Sequence, residues 1–358
     1  MKKTISRSKL IGKGSYGCVF KPAIKCKKKK YTIHKNKISK VFINNDSSKH
    51  ELKINQAVQK ISNYKEWAYI WKKGCTPPKY EEIKNTSDIK KCLKKIKKKK
   101  KDYNKKSYML LGHYGGISFS KYCEKLIKKS TFRTIKEFTK VFLKLFRLLH
   151  NIFLGISELN KHGISHQDLS NSNIMFKKNQ CYLIDFGLSC RYTDMKSYKE
   201  RSRKQISGSR IYDPYPFDYI YAFAKKDELK AELIDFQYEN YRDNYNDYQN
   251  VHQNIFNRQD IKDDIVNLFL LPASLGENFK LNKKLILKKL DTYSLGILLP
   301  MMFNDMANVY NIGKKKFTKC FQSPKIQNQL ALLKDMTDIH PKNRIDIEDA
   351  YERFKTLI

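Results

Sequence analysis

Two short acidic motifs lie close together in the middle of the chain. The first, HQDLSNSN, begins at His166 and contains Asp168 and Asn173, and the second, DFG, begins at Asp185. Carboxylate and amide oxygens are ligands that Mg²⁺ prefers, and a carboxylate can also accept the proton of a substrate hydroxyl. Either motif alone is common by chance. Together they raise the hypothesis that Asp168 is a catalytic base and that Asn173 and Asp185 hold metal, with His166 in a structural role.

A glycine-rich stretch near the N-terminus is the second candidate. GKGSYGCV occupies positions 12–19 and fits GxGxxGxV, a pattern that also marks dinucleotide-binding turns. In those turns a helix follows, whereas here strand-like residues and Pro22 follow, so we predict a hairpin whose backbone amides lie over phosphates. An ordinary hairpin is the alternative. The candidate nucleotide-binding residues are Ile11, Gly12, Lys13, Gly14, Ser15, Tyr16, Gly17, Cys18, Val19 and Lys40.

Lys40 and Glu51 are the third candidate. Lys40 closes the ISK of a predicted strand and Glu51 lies in the helix predicted next, so an ion pair between them would hold an ammonium group against phosphates. A surface ion pair of little consequence is the alternative for a single Lys/Glu pair. The ordered set of glycine loop, lysine, helical glutamate, HxDxxxxN and DFG is what favours a phosphate-transferring site.

The elements that must position these residues follow from periodicity. Residues 1–112 alternate short strand patterns with charged loops and contain one predicted helix, 47–61, behind a serine N-cap. The rest is mostly helical, including one long amphipathic helix predicted over 134–163 and later helices around 291–303, 327–336 and 347–357. A small β-rich part followed by a larger helical part predicts an α+β fold with a cleft between the two.

Composition bounds the class of protein. The chain has 358 residues, enough for one large domain or two unequal lobes, and a formal net charge of +38. Much of that charge lies in the lysine runs 25–30 and 90–106, which attract acidic proteins or nucleic acid, although solvated loops are the simpler interpretation. No apolar run reaches bilayer length, and YSLGILLPMMF (293–303) predicts a buried helix instead.

Cysteine usage and the N-terminus address the compartment. Eight cysteines are scattered without a CxxC pair, which favours reduced thiols and an intracellular, cytoplasmic location over a disulfide framework or a zinc site. The N-terminus has basic residues but no apolar segment, so we expect no secretion signal. Cys18 and Cys181 lie in apolar, strand-like surroundings and are expected in the core.

These motifs carry a family resemblance that covers nearly the whole chain. It resembles the eukaryotic-type protein kinases: GKGSYGCV matches their glycine-rich loop, ISK their VAIK, HQDLSNSN their HRDLKPxN, and DFG their DFG. DTYSLG at 291–296 resembles the start of the central helix of the large lobe. Asp218 stands where the acid of APE would, and Arg344 resembles the late arginine that pairs with it. GCVFKPAIKC and ISKVF further resemble serine/threonine kinases encoded by large DNA viruses.

The resemblance implies an activity and a domain plan. A protein kinase would use ATP and Mg²⁺ to phosphorylate protein substrates, with Lys40, Glu51 and Asp168 catalytic and Asn173 and Asp185 on metal. The plan is a single kinase domain, 1–358, with an N-lobe over 1–112 and a C-lobe over 113–358. A lysine-rich insertion is expected at about 72–106 in the N-lobe, and a second insertion at about 222–285 in the C-lobe.

Two departures leave alternatives open. Gln167 replaces the catalytic-loop arginine that binds an activation-loop phosphate, and Ser170 replaces the lysine that neutralises the γ-phosphate. We therefore keep a pseudokinase or a polyanion-binding scaffold beside the favoured serine/threonine kinase. The residue that guards the adenine pocket is either Leu111 or Gly112.

Overall fold

The fold divides into two compact units. The computed structural model describes residues 7–14, 17–27, 36–206, 215–222, 251–258 and 282–358. The first unit comprises Met1–Gly116 and Ile184–Ser189, and the second comprises Ile117–Leu183 and Cys190–Ile358. The first is built on a β-sheet and the second is mostly helical. The predicted α+β class, with a β-rich part preceding a helical part, is confirmed.

The sheet of the first unit has five strands in the order β1-β2-β3-β5-β4, all antiparallel. The strands are β1 (Lys9–Gly14), β2 (Gly17–Lys21), β3 (Lys37–Phe42), β4 (Lys73–Cys75) and β5 (Tyr108–His113). β1 and β2 form the predicted glycine hairpin, and Gly14 pairs with Gly17 at its end. The ISK motif lies in β3, as its β-branched and apolar residues predict.

The main helix of the first unit, α1 (Asn45–Val58), begins two residues before the predicted start at Ser47. Its N-cap is Asn44, whose backbone is extended and whose side chain accepts a hydrogen bond from the backbone N–H of Asp46 at 2.9 Å. The predicted serine cap is therefore wrong. Asparagine is as good a cap as serine, and its side chain satisfies a backbone donor that the helix leaves unpaired.

The lysine-rich segment folds onto one face of this sheet. Helix α2 (Tyr64–Trp67) precedes the segment, whose own short helices are α3 (Tyr80–Ile83), α4 (Ile89–Lys95) and α5 (Lys100–Lys106). Tyr80, Ile83, Leu93 and Tyr103 from these helices join one buried cluster with Met109 of β5. The apolar residues spaced between the lysines thus supply an additional core layer, which the charge of the run conceals in the sequence.

Four cysteines correct the prediction that all thiols are reduced. Cys18 of β2 is bonded to Cys92 of α4, and Cys26, which follows β2, is bonded to Cys75 of β4. The partners are 74 and 49 residues apart, so no local spacing announces them. Packing of the segment on the sheet brings their Cα atoms to 6.0 and 5.9 Å, within the range that a disulfide spans. Cys181, like Cys18, is buried as predicted.

The second unit contains two small sheets and most of the helices. The strands pair as β6-β8-β9 and as β7-β10. Their bounds are β6 (Ile117–Ser118), β7 (Ile164–Ser165), β8 (Ile174–Lys177), β9 (Gln180–Leu183) and β10 (Cys190–Arg191). The helices are α6 (Phe119–Leu126), α7 (Ile135–Leu148), α8 (His150–Lys161), α9 (Met195–Ile206), α10 (Phe217–Tyr221), α11 (Lys283–Val309), α12 (Lys314–Phe321), α13 (Gln327–Met336) and α14 (Ile347–Thr356), with 3₁₀ turns at Lys129–Phe132 and Pro324–Ile326.

Two helices differ from prediction. The single helix expected over 134–163 is two helices, α7 and α8, because Leu149 has ψ of −2° and its N–H bonds to Phe146 three residues earlier, which breaks the helical repeat. α11 begins at Lys283, eight residues before the DTYSLG motif. It keeps Pro300 inside a buried helix, as the sequence predicted for that stretch.

Two findings bear on the remaining predictions. None of the helices among the described residues is long and apolar enough to cross a membrane. Of the insertion predicted at 222–285, only 222, 251–258 and 282–285 are described, and the rest lies outside the described residues.

Candidate active site

Lys40 is held between two carboxylates in the first unit. Its Nζ lies 2.9 Å from Oε2 and 3.2 Å from Oε1 of Glu51, and 2.7 Å from Oδ1 of Asp185. Lys40 and Glu51 are buried, with 6% and 1% of their surface exposed, whereas the Asp185 side chain is 33% exposed. The surface ion pair considered from sequence is therefore excluded. A buried ammonium with two acidic partners keeps its position and its charge.

The ionisation of this trio follows from burial and charge. Burial alone would lower the pKa of Lys40, but the carboxylates of Asp185 and Glu51 outweigh it and raise that pKa above the usual value. Burial raises the pKa of Glu51, while Lys40 and the indole N–H of Trp71 oppose that shift by stabilising the carboxylate. Lys40 is thus cationic throughout the physiological pH range.

The DFG motif adopts a backbone that few sequences allow. Asp185 has φ of +62°, and the N–H of Gly187 lies 3.4 Å from its Oδ1. A Cβ at Gly187 would approach Oε2 of Glu51 to 3.0 Å and Oδ1 of Asp185 to 3.1 Å, so glycine permits this close approach. Phe186 is fully buried, and His50 of α1 lies 2.9 Å from the carbonyl oxygen of Ser189. These contacts fasten the DFG residues to α1.

The residues of the glycine hairpin differ in how closely they are packed and how far they are exposed. A Cβ at Gly17 would lie 2.1 Å from the carbonyl oxygen of Val41, so close strand packing requires that glycine, whereas a Cβ at Gly14 would meet nothing within 4 Å. Ile11 and Lys13 are exposed, and Gly12 and Val19 are half-buried. The Cys18 side chain is bonded to Cys92 on the face that the lysine-rich segment covers, so only its backbone can contact a nucleotide. Ser15 and Tyr16 lie outside the described residues.

The catalytic-loop residues lie together in the second unit. His166 is fully buried, and its Nδ1 accepts a hydrogen bond from the backbone N–H of Asp168 at 3.3 Å, in line with a structural role. Nδ2 of Asn173 donates to the carbonyl oxygen of Asp168 at 2.8 Å. The two polar side chains five positions apart are thereby fixed within one loop, and Asp168 is half-buried rather than enclosed.

Asp291 is a residue whose role the sequence did not reveal. Its carboxylate accepts hydrogen bonds from the backbone N–H groups of His166 at 2.6 Å and Gln167 at 2.9 Å, and from the Ser165 hydroxyl at 2.9 Å. Only 4% of Asp291 is exposed. A buried carboxylate of α11 therefore anchors the catalytic loop. A charged residue just before the apolar stretch 293–303 was the available sequence signal.

Gln167 is also integrated in the loop. It has φ of +59°, its carbonyl oxygen accepts a hydrogen bond from the Tyr215 hydroxyl at 2.8 Å, and its Nε2 lies 2.7 Å from Sγ of Cys190. Its Oε1 accepts a hydrogen bond from Arg201 of α9. The replaced arginine position thus contacts the segment that follows DFG through a neutral side chain. Ser170, the other departure, lies 2.8 Å from the hydroxyl of Ser172.

The predicted ion pair between Asp218 and Arg344 is confirmed. Nη2 of Arg344 lies 2.8 Å from Oδ1 of Asp218, and neither side chain is exposed. Arg344 also donates through Nε to the carbonyl oxygen of Asp338 at 2.9 Å. Burial raises the pKa of Asp218, and the Arg344 cation opposes that shift. The pair joins α10 to the turn that precedes α14.

Comparison with known proteins places this geometry in a family. The model of the protein tyrosine and serine/threonine kinases matches residues 5–209, more than half of the chain. That span includes the glycine hairpin, the Lys40–Glu51 pair, the catalytic loop and DFG. A search of curated proteins found no match. The chain therefore belongs to the protein tyrosine and serine/threonine kinase family.

Proposed function

We propose that this protein is a Mg²⁺- and ATP-dependent kinase that transfers the γ-phosphate to serine or threonine hydroxyls of other proteins. One observation carries the proposal: the Lys40 ammonium is buried between the carboxylates of Glu51 and Asp185. A structural ion pair needs only one carboxylate. An ammonium fixed by two acidic groups, one of them partly exposed, suits a site that receives polyanionic phosphates and a cation.

Each of the other site residues has a role in this proposal. Backbone N–H groups of the hairpin, positions 12–19, would cover the phosphates, and Lys40 would bind the α- and β-phosphates. Asp168 would orient the substrate hydroxyl and accept its proton, a task that suits its half-buried carboxylate. The hydrogen bonds of Asp291 hold the backbone of that loop in place while the proton moves.

The donor set fits Mg²⁺. Asp185 offers a carboxylate, and because Nδ2 of Asn173 donates to the Asp168 carbonyl, Oδ1 is the amide atom that would face a metal ion. Hard oxygen ligands of this kind are those that Mg²⁺ prefers. When bound, the ion would neutralise phosphate charge.

Serine/threonine specificity and the domain plan extend the proposal. Ser170 stands at the position where serine/threonine kinases have a characteristic lysine. The catalytic loop does not have the sequence typical of tyrosine kinases either. We propose that residues 1–358 form one kinase domain, with insertions at about 72–106 and 222–285.

The narrower resemblance to kinases of large DNA viruses stays a prediction from GCVFKPAIKC and ISKVF. An intracellular location also stays a prediction, and the two disulfides favour an oxidising compartment instead.

The test is phosphate transfer by purified protein. We expect labelled phosphate from ATP and Mg²⁺ to appear on serine or threonine of an acidic or basic test protein. Asp168→Asn should abolish transfer and retain ATP binding, whereas Asp185→Asn should also lose the Mg²⁺-dependent part of the nucleotide affinity. Transfer by Asp168→Asn at a near wild-type rate would refute the assignment. If the wild-type protein binds ATP but transfers no phosphate, the pseudokinase hypothesis is favoured. Gln167 and Ser170 are the two residues that support that hypothesis.

The exposed lysines of residues 90–106 suit an acidic protein partner. All eleven are exposed, and eight of them lie on α4 and α5, whose Leu93 and Tyr103 are buried. Tyr103 is the only aromatic residue of the run and is enclosed, so no ring is presented for stacking on bases, and we favour acidic proteins over nucleic acid. Lys94→Glu combined with Lys98→Glu should reduce kcat/KM for an acidic substrate at low salt and spare a basic one. An equal loss with both substrates would contradict this docking role.

A further inference from the structure

The pairing of β3 with β5 assigns residues to the two faces of the sheet. Lys40 pairs with Leu110 and Ile38 pairs with Gly112. Residues two apart on a strand share a face, so Gly112 lies on the face that carries Lys40. Leu111 lies on the opposite face and packs against the cluster covered by the lysine-rich segment. Of the two residues considered as guardians of the adenine pocket, only Gly112 is on the side of the proposed nucleotide site.

The space beside Gly112 is filled by another residue. A Cβ placed on Gly112 would lie 2.8 Å from Cε3 and 2.9 Å from Cζ3 of Trp71, closer than real Cβ atoms approach. Gly112 is also buried. The glycine is therefore required because the indole of Trp71 occupies the volume that a side chain from β5 would take.

Trp71 is fixed on α1 through Asn55. Its backbone N–H donates to Oδ1 of Asn55 at 2.8 Å, and Nδ2 of Asn55 donates to the carbonyl oxygen of Glu51 at 2.6 Å. Asn55 is fully buried. The residue whose ring covers Gly112 is thus linked through Asn55 to Glu51, whose carboxylate binds Lys40.

We propose that Trp71 is the specificity-determining residue of the nucleotide site: its ring closes the pocket beside Gly112 and excludes purines enlarged at N6. A residue that precedes β4 thereby supplies the bulk that β5 lacks at position 112. The proposal rests on the proposed function, because it requires that ATP binds on the Lys40 face.

Enlarged nucleotides test this assignment. Trp71→Ala should raise the ratio of kcat/KM for N6-benzyl-ATP to that for ATP by about 10- to 100-fold, the range that one apolar group in a pocket confers. Gly112→Leu in the Trp71→Ala background should return the ratio to the wild-type value. If Trp71→Ala does not fold, as judged by its thermal melt, Trp71→Leu serves in its place.

A conservative variant supplies the control. Trp71→Phe keeps a ring against Gly112, so we expect N6-benzyl-ATP still to be excluded. A Trp71→Phe variant that accepts N6-benzyl-ATP as readily as Trp71→Ala would contradict the role of the ring.

Nucleotide binding separates failure of this inference from failure of the proposed function. Displacement of a fluorescent ATP analogue measures affinity whether or not phosphate is transferred. A wild-type protein that binds no ATP would overturn the proposed function. A wild-type protein that binds ATP, with a folded Trp71→Ala variant that still excludes N6-benzyl-ATP, would overturn the assignment of Trp71 alone.

Discussion

Arg201 donates a hydrogen bond from Nη1 to Oε1 of Gln167, so the segment after DFG supplies the cation and the catalytic loop supplies a neutral acceptor. Kinases that are switched by phosphorylation have the opposite arrangement, in which a catalytic-loop arginine binds a phosphate on the segment. Here an arginine of α9 contacts a neutral side chain of the loop. We expect this contact, rather than a phosphate, to hold the segment, because Gln167 has no positive charge with which to bind one.

Exchange of the two side chains tests this contact. Gln167→Arg should lower activity strongly, because it places two guanidinium groups against each other, and Gln167→Arg with Arg201→Gln should restore it. Arg201→Ala removes a hydrogen bond to a charged group, worth about 1.5–3 kcal/mol. Lys204→Ala, on an exposed position of the same helix, is the control and should match wild type in steady-state kinetics.

Phosphatase treatment provides the independent check. The segment offers many hydroxyls, among them Ser189, Tyr192, Thr193, Ser197, Ser202, Ser207 and Ser209, the last two of which lie outside the described residues. Ser189 and Ser202 are fully buried. We expect dephosphorylated protein to keep its activity. A large loss traced to one of these hydroxyls would show that a phosphate holds the segment after all.

The buried pair of Asp218 and Arg344 should dominate the stability of its region. Arg344→Ala leaves the Asp218 carboxylate buried without its cation, which is expected to destabilise the protein by about 3–5 kcal/mol in denaturant melts. The exposed pair of Arg353 and Asp335 offers the control, and Arg353→Ala should change stability by about 1 kcal/mol or less. If the two variants lose similar amounts of unfolding free energy, burial of the Asp218–Arg344 pair contributes little to stability.

The two disulfides should stabilise the first unit. Each closes a long loop, and loss of such a bond is expected to lower the free energy of unfolding by about 2–4 kcal/mol. Cys92→Ser should therefore melt earlier than wild type under non-reducing conditions and resemble it once both are reduced. Cys320→Ser, which changes a buried free thiol in the second unit, should not show this dependence on reductant. Mass spectrometry after alkylation identifies the bonded thiols directly.

Ser170 is expected to limit the rate of transfer. Its hydroxyl bonds to Ser172 and provides no positive charge where the family places a lysine. Ser170→Lys should raise kcat and leave the affinity for ATP unchanged, because the added cation stabilises charge that develops during transfer. An unchanged kcat would indicate that another lysine already fills this role, and a weaker affinity for ATP would contradict the assignment.

The sequence determined the order and chemistry of the site. Glycine spacing, ISK, the helical Glu51, HQDLSNSN and DFG predict the kinase family because each motif has a local requirement: close backbone approach, a strand, a helix or a tight loop. The α+β class followed in the same way from periodicity. The Asp218–Arg344 ion pair could be predicted only from the family resemblance, because the two residues are far apart in the chain.

Only the tertiary structure decided which distant residues meet. The disulfide partners, the anchor at Asp291, the contact of Arg201 with Gln167 and the place of Trp71 against Gly112 all join residues from different elements. Strand register selects the sheet face of each residue, and a shift by one position would exchange Gly112 with Leu111. Such contacts depend on how elements pack, and packing leaves no periodic trace in the sequence. The lysine-rich segment illustrates this: its charge predicted a solvated loop, while its few apolar residues build a core layer on the sheet.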